Sequence, residues 1–359
     1  MESTRPDPSR RDDTFSGLDI GVGASCIYPL LMCASKSQWR MYGTDIDETN
    51  YEHAIHNVAL NEWDDTIKIV KTKADGPLLP LDALKTDRLD FTMCNPPFFA
   101  TKEEALATFA KDGQPFAACT GADVEMITPG GEVAYIRRMI EESIALADKV
   151  QWCTVQLGKL SSLHALVKHL KDDFECTNWV VGVLQPSGQT VRWVLGWSWM
   201  PFRAPDDIGR HKSLVSTGLQ MEPNEMTIVP AISYEPGEVI VSTLEALPLQ
   251  LTSNGQNLEE RSSSGRDTII VSTDSTVWSR SARRKRERDL QNGVSSASLQ
   301  VVPKQEWAHV FAIAIEPHKL NDDDWHSFSV YVRWIKGIDR AVFESFCGML
   351  KAKITAAIK

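Results

Sequence analysis

From Phe15 onward, short apolar runs alternate with longer amphipathic ones. FSGLDIG precedes CIYPLLMCASKS, WRMYGTDID precedes ETNYEHAIHNVALNE, TIKIVKT and LDFTMC lead to GGEVAYIRRMIEESIAL, and VQWCTVQLG precedes SSLHALVKHLKDD. Such alternation predicts strands interleaved with helices, the βαβ units of an α/β domain around a mostly parallel sheet. Two further strands, CTNWVVGVL and TVRWVLGWSWM, flank QPSGQ, whose proline and glycine suit a hairpin. The first domain is therefore expected to span about residues 15–202, after a polar, flexible lead of residues 1–14.

Beyond Met200 the pattern weakens. PFRAPDD reads as a hinge, and TIVPAISYE and EVIVSTLEAL read as strands. The stretch from about 250 to 300 is rich in Ser, Asn, Gly and charge, and is expected to be a disordered basic insertion. WAHVFAIAIEP and SFSVYVRWI read as strands. DRAVFESFCGMLKAKITAAI reads as a helix with Val342, Phe343, Phe346, Met349 and Leu350 on one face. These elements predict a small α+β module over residues 203–359, interrupted by the insertion.

A hydrophobic content of 42% over 359 residues is ample for a core. The seven cysteines form no CxxC pair and no cysteine–histidine cluster at zinc spacing, so no metal site and reduced, intracellular thiols are expected. The polar start is unlike a signal peptide, and no apolar run reaches the roughly 18 residues of a membrane span. A formal charge of −10 argues against a nucleic-acid partner only if charge is evenly spread. SRSARRKRER, carrying Arg283, Arg284, Lys285 and Arg286, breaks that evenness. It reads as a nuclear localisation signal or an RNA contact, and alternatively as a solvated basic linker.

LDIGVGASCIYPLL puts Asp19, Gly21 and Gly23 at the junction of a strand and a helix. Glycines there let a ligand approach the backbone closely, and the helix start favours negative charge. A dinucleotide fingerprint wants a third glycine where Cys26 stands, whereas the S-adenosylmethionine pattern needs only D-x-G-x-G. Asp45, near the end of the second strand, can accept both hydroxyls of a ribose, which the two cofactors share; Asp47 is the competing acid.

Asn95-Pro96-Pro97-Phe98 follows LDFTMC, at the carboxyl edge where open α/β sheets bind ligands. The lone pair of a planar exocyclic amine is delocalised into its ring. An acceptor pair, the Asn95 side-chain oxygen and the Pro96 carbonyl, can hold both amine hydrogens and favour pyramidalisation as a methyl group arrives. Proline fixes the backbone and leaves its carbonyl free, and Phe98 or Phe99 can stack on the base. The motif reads as a clamp for a flipped or unpaired base, with no His, Cys or Lys base required. NPPF also suits other amine and amide acceptors, protein glutamine among them.

Several of these stretches together resemble one family, that of methyltransferase-like protein 16 and the bacterial rRNA adenine-N6 methyltransferase F. The resemblance rests on DIGVGASCIYPLL, TDIDETNYEHAIHNV, LDFTMCNPPFFA, TGADVEMITPGGEVAYIRRMIEES, LGKLSSLHALVKHL and GQTVRWVLGWSW, over about residues 17–200. It implies a class I, Rossmann-like S-adenosylmethionine-dependent methyltransferase domain acting on the 6-amino group of adenosine in structured RNA, a U6 snRNA-like or rRNA hairpin. On that basis Asp19, Gly21, Gly23, Ser25, Asp45 and Asn95 would contact S-adenosylmethionine, and Asn95, Pro96, Pro97, Phe98 and Phe99 would hold adenine. Thr120, Gly121 and the Gly130-Gly131-Glu132 turn would border the substrate, and Lys159 would lie on a lysine-bearing loop near the cofactor. Arg192 and Trp193 match a strand motif of the family, which edge packing explains equally well.

Members usually carry a basic N-terminal module and an arginine- and proline-rich loop after the NPPF motif. Here the glycine turn comes almost at once, and ATKEEALATFAKDGQPFAAC has few basic residues, which predicts a weaker electrostatic hold on RNA. The C-terminal module, with its strands, basic insertion and final helix, resembles the RNA-binding extension of eukaryotic members. Two alternatives stand beside the enzyme: a non-catalytic RNA-binding protein of the same fold, and a protein glutamine methyltransferase.

Overall fold

The computed structural model describes residues 15–36, 38–111, 123–187, 190–210, 212–253, 267–291, 308–321 and 324–357. The chain divides into two compact units. One runs to Met200 and takes in Asp207–Met221; the other contains Pro201–Asp206 and Glu222–Lys359.

In the first unit the alternation becomes β1 (Phe15–Ile20), α1 (Ile27–Ser35), β2 (Trp39–Asp45), α2 (Glu48–Leu60), β3 (Ile67–Lys71), α3 (Leu81–Leu84) and β4 (Leu89–Cys94). It continues through α4 (Lys102–Lys111), α5 (Asp123–Met126), α6 (Gly131–Ile144), β5 (Val150–Leu157), α7 (Leu160–Asp172), β6 (Trp179–Ser187) and β7 (Thr190–Trp197). The strands form one sheet in the order β3-β2-β1-β4-β5-β7-β6. The first five are parallel, and β7 enters antiparallel between β5 and β6.

Parallel strands covered on both faces read as near-continuous apolar runs. LDFTMC in β4 is accordingly almost wholly buried. The core gathers Leu18 and Ile20 of β1, Ile136, Met139 and Ile140 of α6, and Leu163, Leu166 and Leu170 of α7. Glycine is required at Gly17 inside the sheet, where a Cβ would lie 2.2 Å from the Phe91 ring of β4.

The order reverses between β1 and β4, because the chain first builds outward through β2 and β3 and then returns to the other side of β1. Ligands of open α/β sheets bind outside the carboxyl ends of the strands at such a switch point. The β1–β4 register pairs Ile20 with Cys94. The next residues, Gly21 and Asn95, therefore leave the sheet as neighbours.

The boundary expected at 202/203 differs in the structure, since residues 207–221 group with the first unit. A 3-10 turn, Lys212–Thr217, follows α8 (Asp206–Gly209), and its Leu214 is fully buried in the first core.

The second unit contains β8 (Glu225–Ile232), α9 (Gly237–Glu245), β9 (Gln250–Ser253), β10 (Asp267–Thr273), α10 (Arg280–Gln291), β11 (His309–Asn321), β12 (Asp324–Lys336) and α11 (Arg340–Ala357). Its sheet is antiparallel in the order β8-β12-β11-β10-β9. Phe343, Phe346 and Leu350 of α11 and Ile240 and Leu244 of α9 are buried in its core with Phe311, Ile313, Val330 and Val332 of the sheet.

Two expectations are corrected here. EVIVSTLEAL is the helix α9 rather than a strand: Ile240 and Leu244, four residues apart, are both buried while Val241 is exposed. Ser242 is exposed as well, where strand alternation would bury it with Ile240 and Leu244, so the pattern is that of a helical face. The stretch of about 250–300 is not wholly disordered, because it holds β9, β10 and α10. β10 lies between β9 and β11, and the basic run forms α10, where Ser279 Oγ accepts the Ala282 N–H at 3.2 Å as a cap. Trp278, just before it, packs against Phe346 with ring centroids 5.1 Å apart.

One buried hydroxyl ties α6 to the sheet. Ser143 Oγ accepts from Trp197 Nε1 at 3.0 Å and Trp199 Nε1 at 2.8 Å. Replacement of Ser143 by alanine leaves two indole donors without that partner and should cost about 2 kcal/mol, read as a lower urea midpoint at unchanged m-value.

Candidate active site at the carboxyl edge

A cavity of about 760 Å³ opens at the switch point. Such a volume lies within the range of about 300–1,000 Å³ usual for small-molecule sites. Gly21, Gly23, Ser25, Asp45, Asn95 and Pro97 all line it. The D-x-G-x-G turn and the NPPF segment, more than seventy residues apart in sequence, thus line one cavity.

The glycine turn is fastened to β2. The N–H groups of Gly21 and Val22 donate to the Thr44 carbonyl at 2.9 and 2.8 Å, and Gly23 N–H donates to Asp45 Oδ2 at 2.9 Å. Gly21 and Gly23 have φ of 72° and 65°, the left-handed region that favours glycine. No heavy atom lies within 4 Å of a Cβ built on Gly21, so a ligand can approach the backbone there. From the opposite side, Asn57 of α2 donates to the Ala24 carbonyl at 2.9 Å. Cys26, where a dinucleotide fingerprint has its third glycine, itself adopts φ 51° and buries its thiol completely.

The two acids of TDID have separate placements. Asp45 lies on the cavity wall, and its Oδ1 accepts the Asp47 N–H at 2.9 Å while Oδ2 takes Gly23. Each carboxylate oxygen keeps a further lone pair for a ligand hydroxyl. Asp47 instead caps α2, accepting the Asn50 N–H at 3.0 Å.

Asp19 lies beneath the turn, 1% exposed, and its Oδ2 has no hydrogen-bond partner. Burial, with the nearby Asp45 charge, pushes its carboxyl up to about 8. An orphaned buried oxygen beneath an open glycine turn is a polar group that a bound ligand can complete. Among the described residues no group of His, Cys, Asp and Glu is placed to hold a metal, and no helix is long and apolar enough to cross a membrane.

The NPPF segment is held from three sides. Phe99 N–H donates to the Met126 carbonyl and Thr128 N–H to the Phe99 carbonyl, both at 2.9 Å, so the loop pairs with the strand-like end of α5. Phe99 is thereby buried and anchors the loop, which corrects its expected part in stacking on a base. Phe98 is half-buried, and the Arg192 guanidinium lies 5.6 Å from its ring centroid. Gly158 comes so close that a Cβ there would be 3.2 Å from the Phe98 ring. Asn95 is exposed, and its Oδ1 accepts from Gln156 Nε2 at 3.1 Å.

Glu132, 2% exposed, sets the position of the next loop. Its carboxylate accepts the Gly158 N–H at 2.8 Å and the Lys159 N–H at 3.3 Å. Lys159 stands in the loop after β5, off the cavity lining, and its ammonium pairs with Glu104 Oε1 at 2.6 Å. Glu104 Oε2 in turn accepts the Ala100 N–H at 2.8 Å. Lys159 thus braces the start of α4, and Lys73 is the lysine on the cavity wall. Trp193 packs against the core. Arg283, Arg284 and Lys285 are exposed on α10 in the second unit, where Arg286 donates to the Val277 carbonyl at 2.9 Å. Thr120 and Gly121 lie outside the described residues.

Sequence reasoning missed Glu125 and the loop after β3. Glu125 lines the cavity, and its Oε1 accepts from Asn50 of α2 at 2.9 Å. Thr72, Lys73 and Asp75 line the cavity too, and Arg138 braces their loop by donating to the carbonyls of Ala74 and Gly76. Only the carboxyl-end position after β3 carries a signal for that loop; nothing local marks Glu125.

Sheet order, antiparallel β7 and a D-x-G-x-G turn beside NPPF define a class I, Rossmann-like methyltransferase domain. Residues 4–201 match a family profile described as RNA methyltransferase. The chain is 33% identical over 339 residues to the U6 small nuclear RNA (adenine-(43)-N(6))-methyltransferase of Schizosaccharomyces pombe, covering 93% of this chain and 77% of that protein. It is 37% identical over 194 residues to the human RNA N(6)-adenosine-methyltransferase METTL16, covering 51% of this chain and 33% of the human one. A crystal structure of the human METTL16 catalytic domain with MAT2A 3′UTR hairpin 1 shows 36% identity at a TM-score of 0.48, over 52% of this chain and 64% of that one. The chain belongs to this family of RNA methyltransferases.

Asp19 gives the site a pH signature. Unfolded, its carboxyl ionises near 3.8; folded, it keeps its proton up to about 8. The native state holds the extra proton between those values, so the Asp19 contribution to stability is full below 3.8, falls as pH rises and levels above about 8. Asp19→Asn should flatten the fall in melting temperature between about pH 5 and about pH 8, measured by calorimetry at matched ionic strength.

Proposed function

We propose that the chain transfers a methyl group from S-adenosylmethionine to the 6-amino group of adenosine in a structured RNA. The observation that carries this reading is the shared cavity, lined by the glycine turn and Asp45 together with Asn95 and Pro97. S-adenosylmethionine supplies an electrophilic methyl on a sulfonium, and the chain supplies position and electrostatics.

Asp45 offers its remaining lone pairs to the ribose hydroxyls, and the open face of Gly21 admits the cofactor against the backbone. Asn95 Oδ1 and the Pro96 carbonyl take the two amine hydrogens, drawing the nitrogen toward pyramidal geometry and freeing its lone pair. After transfer the nitrogen carries a surplus proton, which leaves to water, so no side-chain base is needed. Phe98 presents a half-buried ring for the base, a contact of about 1–3 kcal/mol in single-strand binders.

The relatives named above supply the substrate class. One is named for adenine in U6 small nuclear RNA and another for RNA adenosine, and a U6-like hairpin is the first substrate to try. The exposed cations of α10, Arg283, Arg284 and Lys285, with Arg286 beside them, give the second unit a surface for RNA phosphates or for nuclear import. A nuclear, RNA-processing protein fits both.

Replacing Asn95 by alanine removes one of the two amine acceptors. Turnover on an adenosine-containing hairpin should fall by more than about a hundredfold, with the dissociation constant for S-adenosylmethionine within about twofold of the parent. Unchanged turnover would contradict the clamp. RNA binding with no methyl transfer by the unaltered chain would favour a non-catalytic RNA-binding protein of the same fold.

A further inference from the structure

The acceptor clamp has a requirement that its own residues do not meet. An asparagine amide rotates between two faces about a broad, roughly two-fold torsion. One face offers a carbonyl oxygen to the amine; the other offers an NH₂, a second donor against a donor. Asn95 is exposed and sits just past the end of β4, where the ladder no longer constrains it.

The neighbouring strand supplies what is missing. β4 and β5 pair Phe91 with Trp152 and Thr92 with Cys153, an offset of 61 residues. The Asn95–Gln156 contact keeps that same offset of 61, so the ladder register itself brings Gln156 abreast of Asn95. Two residues back along β5, Thr154 Oγ1 donates to the Thr92 carbonyl at 2.7 Å and ties the two strands at this edge. Gln156 Nε2 donates to Asn95 Oδ1 at 3.1 Å, and Gln156 itself is not on the cavity wall. A carbonyl oxygen has two lone pairs, so one accepts from Gln156 while the other remains for the substrate.

We propose that Gln156 is a positioning residue for methyl transfer, whose amide N–H locks the Asn95 amide with its oxygen turned toward the acceptor amine. This rests on the reading of Asn95 as an amine acceptor given above. Gln156 acts through Asn95, so it governs the chemical step and leaves cofactor binding alone.

The pair of substitutions that tests it separates orientation from shape. Gln156→Met keeps the length of the side chain and removes the donor, leaving the Asn95 amide free to turn. Gln156→Glu is nearly isosteric but presents only acceptors, which repel Asn95 Oδ1 and accept from its NH₂ instead. The amide is then held the wrong way round. In single-turnover methylation of an RNA hairpin, kcat should fall about tenfold in Gln156→Met and about a hundredfold in Gln156→Glu. KM for RNA and Kd for S-adenosylmethionine should stay within about twofold of the parent. A packing role predicts the reverse order, because glutamate preserves the volume better; that order, or a loss confined to KM, overturns the proposal.

A second measurement does not depend on turnover. The side-chain NH₂ resonances of Asn95, assigned by their loss in Asn95→Ala, should move in both Gln156 variants. Resonances unmoved in Gln156→Glu overturn the proposal whatever the substrate proves to be. Resonances that move in the variants, with a parent protein that methylates no adenosine, count against the adenine reading and leave the amide lock standing.

Discussion

The pairing of β1 with β4 is the constraint on which the site depends. Ile20 lies opposite Cys94, and the chain breaks from both strands at the next residue. Gly21 begins the turn that opens the backbone to a ligand, and Asn95 begins the segment that can grip an amine. A shift of one residue in this register would turn every side chain of β4 to the other face and carry Asn95 away from the cavity. Nearly complete burial of β4 opposes such a slip, since it would exchange the side chains buried on the two faces of the sheet.

Around that pairing, the site is built from groups under electrostatic or conformational stress. Asp19 is buried with an oxygen that no protein group satisfies, and Cys26 adopts a left-handed conformation uncommon for a side-chain-bearing residue. Polar groups left unsatisfied in a core reduce stability, and they concentrate where a ligand completes them. The rest of the site is braced. Glu132 holds the loop under Phe98, Lys159 holds Glu104 against the start of α4, and Arg138 holds the loop after β3. None of these three needs to touch a substrate to matter, because each fixes a segment that lines the cavity or packs beside the clamp.

Much of this was legible in the sequence. Alternating apolar runs gave the order of strands and helices in the first unit, and D-x-G-x-G, Asp45 and NPPF pointed to one edge of the sheet. Local patterns failed where the deciding contact was distant. Nothing near Gln156 or Glu125 marks either residue, since their partners lie 61 and 75 residues away. The partner of Lys159, Glu104, is 55 residues upstream and draws the ammonium toward α4, which no local pattern around Lys159 shows. In the second unit, the β-branched run of EVIVST suggested a strand, and only tertiary burial of Ile240 and Leu244 selects the helix. β10 carries Ile269, Ile270 and Val271 within a polar stretch, and pairing with β9 and β11 places it in the sheet.

The most direct test of the shared cavity is calorimetric titration of S-adenosylmethionine into the full chain and into Asp45→Ala. The parent should bind with a dissociation constant in the micromolar range, about −8 kcal/mol, and the variant should lose at least about tenfold in affinity. Equal affinity in the two proteins, or no binding by the parent at millimolar cofactor, would contradict the assignment of this carboxyl edge as the methyl-donor site.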